Sequence, residues 1–269
     1  MEAARASRRG VRGWLAEASD AVVSVFFPAG CRICDKLLVR ASRVPICGEC
    51  LASFAELPEK SCDICGQSLL AATPREGEPL VCRACQQKTY AFERARSYGT
   101  YDGPLVEAIL LLKWVRIGPL GEWFAERLAE VVRREGKLFA ADVVVPVPLH
   151  RDRERERGYN QAGLISKPLA KKLGLPHKAV LLMRTRPRPN KQILSLEERW
   201  ESVRGAFATR PGSQVDNKRV LLVDDVSTTG ATLDACARAL LESGAKSVLG
   251  LTVARAARNP LPAPVSGNL

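Results

Sequence analysis

From residue 90 onward the apolar positions switch repeatedly between a strand period and a helix period. "ARSYGTYDG" reads as a strand ending in a turn, after which Pro104 opens a helix with Leu105, Ala108, Ile109 and Leu112 on one face. A second helix is predicted over residues 120–134, with Leu120, Trp123, Phe124, Leu128 and Val131 aligned. "DVVVPVP" is a short β-branched run suited to a buried parallel strand, and residues 160–173 are helical with Pro168 as a potential kink. "RVLLVDD" and "SVLGLTVAR" are further buried strands flanking a helix over residues 232–243 that Gly244 ends. Strands alternating with helices require an α/β fold with a central, mainly parallel sheet.

Before residue 90 the pattern differs. Trp14, Leu15, Ala18, Val22 and Phe26 keep helical spacing, predicting an amphipathic helix over residues 1–28. Early arginines followed by an apolar run resemble a signal peptide, but Glu17 and Asp20 interrupt that run. No apolar run is long enough to span a bilayer, and a cytoplasmic location is expected. The segment 29–89 carries eight of the nine cysteines as C-x-x-C pairs: Cys31/Cys34, Cys47/Cys50, Cys62/Cys65 and Cys82/Cys85. Two thiolates on one tight turn can face one tetrahedral ion, and a second pair completes its shell. Disulfides would need an oxidising compartment, and a redox pair explains one C-x-x-C but not four. Two structural zinc sites follow. The spacings favour pairing one with two and three with four, with an interleaved arrangement as the alternative. Gly48 and Gly66 each follow a cysteine, where a permissive backbone eases the turn. Four thiolates leave no open position, so the zinc is given no catalysis. Cys236 occupies an apolar helix position and reads as core.

The remaining divisions are 90–257 for the α/β domain and 258–269, "RNPLPAPVSGNL", for a disordered tail. Forty-one Lys and Arg against twenty-nine Asp and Glu give a net charge of +12, which favours anionic partners as much as it reflects a basic proteome.

The chemistry concentrates in "VLLVDDVSTTGATL". Asp224 and Asp225 are read at a strand's carboxyl end, where parallel sheets bind ligands. The following loop, Ser227, Thr228, Thr229, Gly230, Ala231 and Thr232, enters a helix N-terminus whose N–H groups favour phosphate. Carboxylates would repel that phosphate but suit vicinal hydroxyls or a magnesium ion. A phosphate beside a diol describes a ribose 5-phosphate. A generic helix cap needs one hydroxyl, not this cluster, and no P-loop motif is present.

This stretch resembles the phosphoribosyl pyrophosphate (PRPP) signature of type I phosphoribosyltransferases. With "LLLKW" (110–114), "VPVPLHRDRERERGYNQA" (145–162), "KQILSLEERWESVRGAF" (191–207) and the cysteine knuckles, the chain is similar to the competence protein ComF/GntX family. That resemblance implies a double zinc ribbon before a type I phosphoribosyltransferase-like domain. It implies PRPP and Mg2+ bound at residues 224–232, with Asp224 and Asp225 on the ribose and the loop on the 5-phosphate. Phosphoribosyl would then pass to an unidentified acceptor. Pyrophosphate needs a second cationic site, for which Arg151 is the first candidate and Lys113 the second. The alternation of Arg with Asp and Glu over residues 151–157 equally fits a solvated helix face, and the alternative for Lys113 is a lysine that merely snorkels from an apolar helix. The basic segment "RTRPRPNKQ" (184–192) reads as an extended loop. Two departures from the pattern stand out: Ser202 where the family often has Asn, and Thr228 where purine-salvage enzymes place an Asp. The alternative function is non-enzymatic handling of single-stranded DNA with a DNA-uptake machinery.

Overall fold

The computed structural model describes residues 30–38, 43–58, 60–69, 78–87, 90–187, 195–213 and 215–256. The predicted N-terminal helix, the Pro-rich tail and residues 188–192 of the basic segment lie outside them. The chain divides into two compact units, with the boundary between Phe54 and Ala55.

In the first unit, the bridge Gly30↔Leu37 brackets one knuckle, and helix α1 (Gly48–Ala52) carries the second cysteine of the other. Cys47 is the N-cap of α1, its sulfur accepting the Cys50 N–H. Gly48 is therefore an ordinary first helical residue. The left-handed turn falls instead on Asp35 (φ 58°), as it does on Gly66 (φ 67°) in the second unit.

In the second unit, helix α2 (Arg83–Gln87) follows the last knuckle and strand β1 (Arg94–Thr100) begins the sheet. Helices α3 (Gly103–Trp114) and α4 (Gly118–Glu135) follow, then β2 (Val143–Pro146), α5 (Arg151–Arg157) and α6 (Gln161–Leu173). A two-stranded antiparallel piece, β3 (Leu182–Arg184) with β4 (Phe207–Thr209), encloses α7 (Leu196–Glu201). The chain then forms β5 (Arg219–Ser227), α8 (Ala231–Glu242) and β6 (Ser247–Arg255). The main sheet runs β1-β6-β5-β2 and every pairing in it is parallel. All four predicted strands are in it, and α3 buries the four residues expected of it.

Alternation along β5 builds two core layers. Val220 and Leu222 join Leu233, Cys236 and Leu240 of α8 in one buried cluster. Leu221 and Val223, equally buried, turn to the opposite face. The β-branched Val143–Val145 fill the same role in β2. Helices α4 and α6 pack closely because Gly121 admits the Leu164 carbonyl: a Cβ there would lie 2.7 Å from that oxygen. Gly121→Ala is expected to cost about 1–3 kcal/mol as an overpacked contact, read as a lower urea midpoint.

Asp142 fixes the start of β5. Its carboxylate accepts the Arg219 N–H (2.8 Å) and both Nε and Nη2 of the guanidinium (3.2 and 2.8 Å). The Arg219 side-chain hydrogen bonds, then its backbone N–H, hold Asp142 down at about 2. A lowered folded pKa stabilises above the unfolded carboxylate value of about 3.9 and is lost as pH falls through the folded one. The stability advantage of the wild type over Asp142→Asn should therefore be constant at neutral pH and shrink below about pH 4. Denaturant titrations across that window check it.

Candidate functional site

Beyond Val223 strand β5 loses its neighbour β2, whose last paired residue is Pro146, while the ladder to β6 continues to Ser227↔Arg255. The strand therefore runs through the acidic pair rather than ending before it. Asp224 and Asp225 open on one side into a cleft of about 440 Å³. With no β2 partner there, Asp224 Oδ1 accepts the Asp225 N–H and Asp225 Oδ1 accepts the Val226 N–H, each at 2.9 Å.

The two carboxylates are buried, and their surroundings shift them in opposite directions. Burial, then the neighbouring Asp225 charge, pushes Asp224 well above the usual carboxylate range. Against its own burial, Asp225 is held below that range by the charge of Lys113. Lys113 Nζ lies 2.9 Å from Asp225 Oδ2, reaching it from the last turn of α3. The lysine thus enters the site as the acid's counter-ion. Asp224 is accordingly biased toward its neutral form and Asp225 toward its ionised form, a combination suited to holding two hydroxyls.

The loop after β5 is set by its own hydrogen bonds. Gly230 caps α8 at φ 80°, and Thr229 is buried, its Oγ1 accepting the Ala231 N–H at 3.2 Å. Thr228 and Thr232 are half-buried and line the cleft with Ser227, Gly230 and Ala231. Ser227 Oγ accepts a 2.6 Å hydrogen bond from Nη1 of Arg255, which is buried to 1% exposure. Nε and Nη2 of Arg255 have no hydrogen-bond partner among the described residues. A charged residue ending the otherwise apolar "SVLGLTVAR" was the signal for it, and the sequence reading passed it over.

Helix α5 decides which arginines reach the cleft. His150 caps it, so the "RDRERER" run is helical from its first residue. Residues 153 and 157 then share a face, and residue 151 is turned roughly half a revolution from 153. Arg153 and Arg157 line the cleft, whereas Arg151 is exposed and does not. Arg157 donates to Gln161 Oε1 (2.7 Å) and lies 4.5 Å over the Trp114 ring. Arg184 and Arg199 line the far wall beside Ser202, whose Oγ donates to Arg199 O at 2.9 Å. All four lie in segments the sequence had marked, but Arg151 rather than any of them was the expected phosphate contact. Together with Lys113 they make the cleft cationic around two acids, which suits a polyphosphate bearing hydroxyls.

The eight paired cysteines gather as two groups, Cys31, Cys34, Cys47 and Cys50, and Cys62, Cys65, Cys82 and Cys85. This is the pairing of one with two and three with four. Within each group the sulfurs lie within 4.8 Å of one another, with close pairs at 3.9 Å (Cys31–Cys50), 3.6 Å (Cys34–Cys47) and 3.7 Å (Cys65–Cys82). Tetrahedral Zn–S bonds of about 2.3 Å put sulfurs roughly 3.8 Å apart, so both groups fit zinc. The Cys47 and Cys82 N–H groups also donate to the sulfurs of Cys31 and Cys62, each at 3.3 Å, as thiolates would favour.

Comparison with known proteins agrees with this geometry. Residues 161–262 match the phosphoribosyl transferase domain family. The DNA utilization protein YhgH of Salmonella typhimurium is 32% identical over 224 residues, covering 82% of this chain and 94% of the relative. The chain belongs to the ComF/GntX family. Competence protein F of Haemophilus influenzae (28% identical, 78% of this chain and 90% of that one) and competence protein ComFC of Bacillus subtilis (29%, 78% and 84%) are further ComF relatives. Among solved structures, a glutamine PRPP amidotransferase from B. subtilis aligns over 50% of this chain and 26% of its own at 23% identity, with a TM-score of 0.34. No residue role is taken from that distant likeness. The ComF chain described here thus joins a phosphoribosyltransferase-type parallel sheet to two four-cysteine groups that fit a double zinc ribbon.

Proposed function

We propose that this ComF-family protein binds PRPP in the cleft above β5, with the acid pair on the ribose and the loop on the 5-phosphate. The observation that carries the reading is the buried acid pair of β5, with Lys113 Nζ 2.9 Å from Asp225 Oδ2, directly before a loop that enters a helix N-terminus. The two groups would hold the 2- and 3-hydroxyls as acceptor and donor. Ser227, Thr228 and Thr232, with the first-turn N–H groups of α8, would hold the phosphate. In our reading the pyrophosphate contact expected of Arg151 passes to Arg153 and Arg157, while Lys113 favours the ionised form of Asp225. Asp224 and Asp225 are the residues that would help hold Mg2+ with the bound substrate, and the ion would supply neutralisation of leaving-group charge. Fixed charges around ribose C1 favour an oxocarbenium-like state by positioning and electrostatics, which supports phosphoribosyl transfer to an unidentified acceptor. Thr228 in the loop gives a purine acceptor no support. Calorimetry with PRPP, with and without Mg2+, tests binding; absence of heat and of thermal stabilisation at millimolar PRPP would defeat it.

A second reading is DNA handling, favoured by the +12 charge and by relatives named for DNA utilization and competence. Single-stranded DNA, and through it a DNA-uptake machinery, would be the partner. Binding of a fluorescent oligonucleotide should then fall steeply with salt, and no binding at low salt would remove this reading. A cytoplasmic location accords with unbridged thiols in metal geometry. Among the described residues no helix is long and apolar enough to cross a membrane.

A further inference from the structure

The second four-cysteine group is joined to the loop after β5 by a short run of contacts through Tyr90, Ala91 and Phe92. Cys62, Cys65, Cys82 and Cys85 share one buried cluster with Tyr90 and Phe92, the aromatic pair that follows the last knuckle. The two rings stack with centroids 4.6 Å apart. Tyr90 Oη donates to the Thr229 carbonyl at 3.0 Å, and the Ala91 N–H donates to Asp234 Oδ1, in the first turn of α8, at 2.7 Å. A Cβ on Gly230 would lie 3.2 Å from the Tyr90 ring and 3.6 Å from Phe92. The loop therefore rests on these two rings and is tied on both sides of Gly230.

The knuckles that share this cluster with the rings are also tied to the start of β1. Ala95 N–H at the start of β1 donates to Ile64 O (2.7 Å), and Arg96 Nη1 donates to Asp63 O (3.1 Å). Gly66 sits so close that a Cβ would approach Ala95 O to 2.9 Å. Yet the described residues between 60 and 87 form one five-residue helix, and the apolar groups they bury fully are chiefly the cysteines themselves. So small a segment has no core of its own to keep it in place without metal–sulfur bonds.

We propose that the metal-loaded second cluster sets the conformation of the loop at residues 228–230, with Tyr90 as the positioning residue, so that ligand affinity in the cleft depends on zinc at this cluster. Without the metal the knuckles loosen, the Tyr90 and Ala91 hydrogen bonds are lost, and the loop must be ordered anew on binding, which lowers affinity. The second cluster then acts as a zinc- and thiol-sensitive control on the site as well as a brace.

The affinity part rests on the cleft being a PRPP site; the conformational part does not. In the full-length protein, Tyr90→Phe keeps the stack and the packing on Gly230 and removes the hydrogen bond to Thr229. Its PRPP Kd is expected to rise about 3–10-fold with little change in Tm. Hydrogen exchange at Thr229, Gly230 and Ala231 should quicken in the same variant. Stripping zinc with a chelator, or Cys65→Ser where that variant folds, should quicken exchange there further, and added zinc should restore the stripped wild type. Cys47→Ser, in the first cluster, is the comparison for loss of zinc in general. Unchanged loop exchange on emptying the second cluster, or equal loosening by Cys47→Ser, would overturn the inference. If the wild type binds no PRPP, the functional reading fails and the exchange measurement still decides this one.

Discussion

Asp225→Asn is expected to weaken PRPP binding by about ten- to a hundredfold, from the loss of a charge-assisted hydrogen bond of about 1.5–3 kcal/mol to a ribose hydroxyl. The reason lies in the pairing with Lys113. The lysine favours the ionised form of Asp225 in a buried site, so the acid is set to meet a ligand as an acceptor. Asparagine removes the charge and leaves the Lys113 ammonium facing a neutral amide, so thermal stability should fall as well. Asp224→Asn makes the contrast. Its carboxyl is pushed toward the neutral form, and an amide of nearly the same shape preserves that state. Its apo stability should be close to that of the wild type, and its affinity loss smaller than that of Asp225→Asn. Calorimetry and melting curves on both variants separate the roles. Equal affinity loss in the two, or PRPP bound normally by Asp225→Asn, would show that the acid pair has been misread.

Removing metal should have the larger effect on folding. Elemental analysis is expected to find two zinc ions per chain, falling to one when either cysteine group is broken. Structural zinc contributes apparent binding energies of about 10–16 kcal/mol in isolated zinc-finger peptides, because ordering and metal binding are one event. Excess chelator should accordingly lower the Tm of this protein by many degrees, and protease should cut first between residues 60 and 87. A chain that contains no zinc when purified without chelator, yet melts cooperatively at the same temperature, would count against both sites.

The fold was legible where a local pattern forces the outcome. "DVVVPVP", "RVLLVDD" and "SVLGLTVAR" are too apolar and β-branched to sit anywhere but inside a parallel sheet, and they do so. The apolar face of α3 was equally readable from its spacing. The β3–β4 piece was not foreseen, because two three-residue strands carry too little pattern to stand out. The run "RDRERER" shows the limit in another form. Its alternation gives charge but no phase, and only the His150 cap fixes which arginines turn toward the cleft.

For the site, the sequence determined the chemistry available: an acid pair, hydroxyls before a helix, and cysteines in twos. Those are covalent neighbours, so their spacing alone brings them together. It did not determine which acid has a cationic neighbour, because Lys113 comes from a helix more than a hundred residues earlier in the chain. Nor did it show Arg255 behind Ser227, or Tyr90 beneath Thr229, 139 residues away in sequence. Those contacts depend on strand register and on how the second cysteine group packs. Burial then decides their strength, since a charge or hydrogen bond shielded from water acts on its neighbours far more strongly than an exposed one.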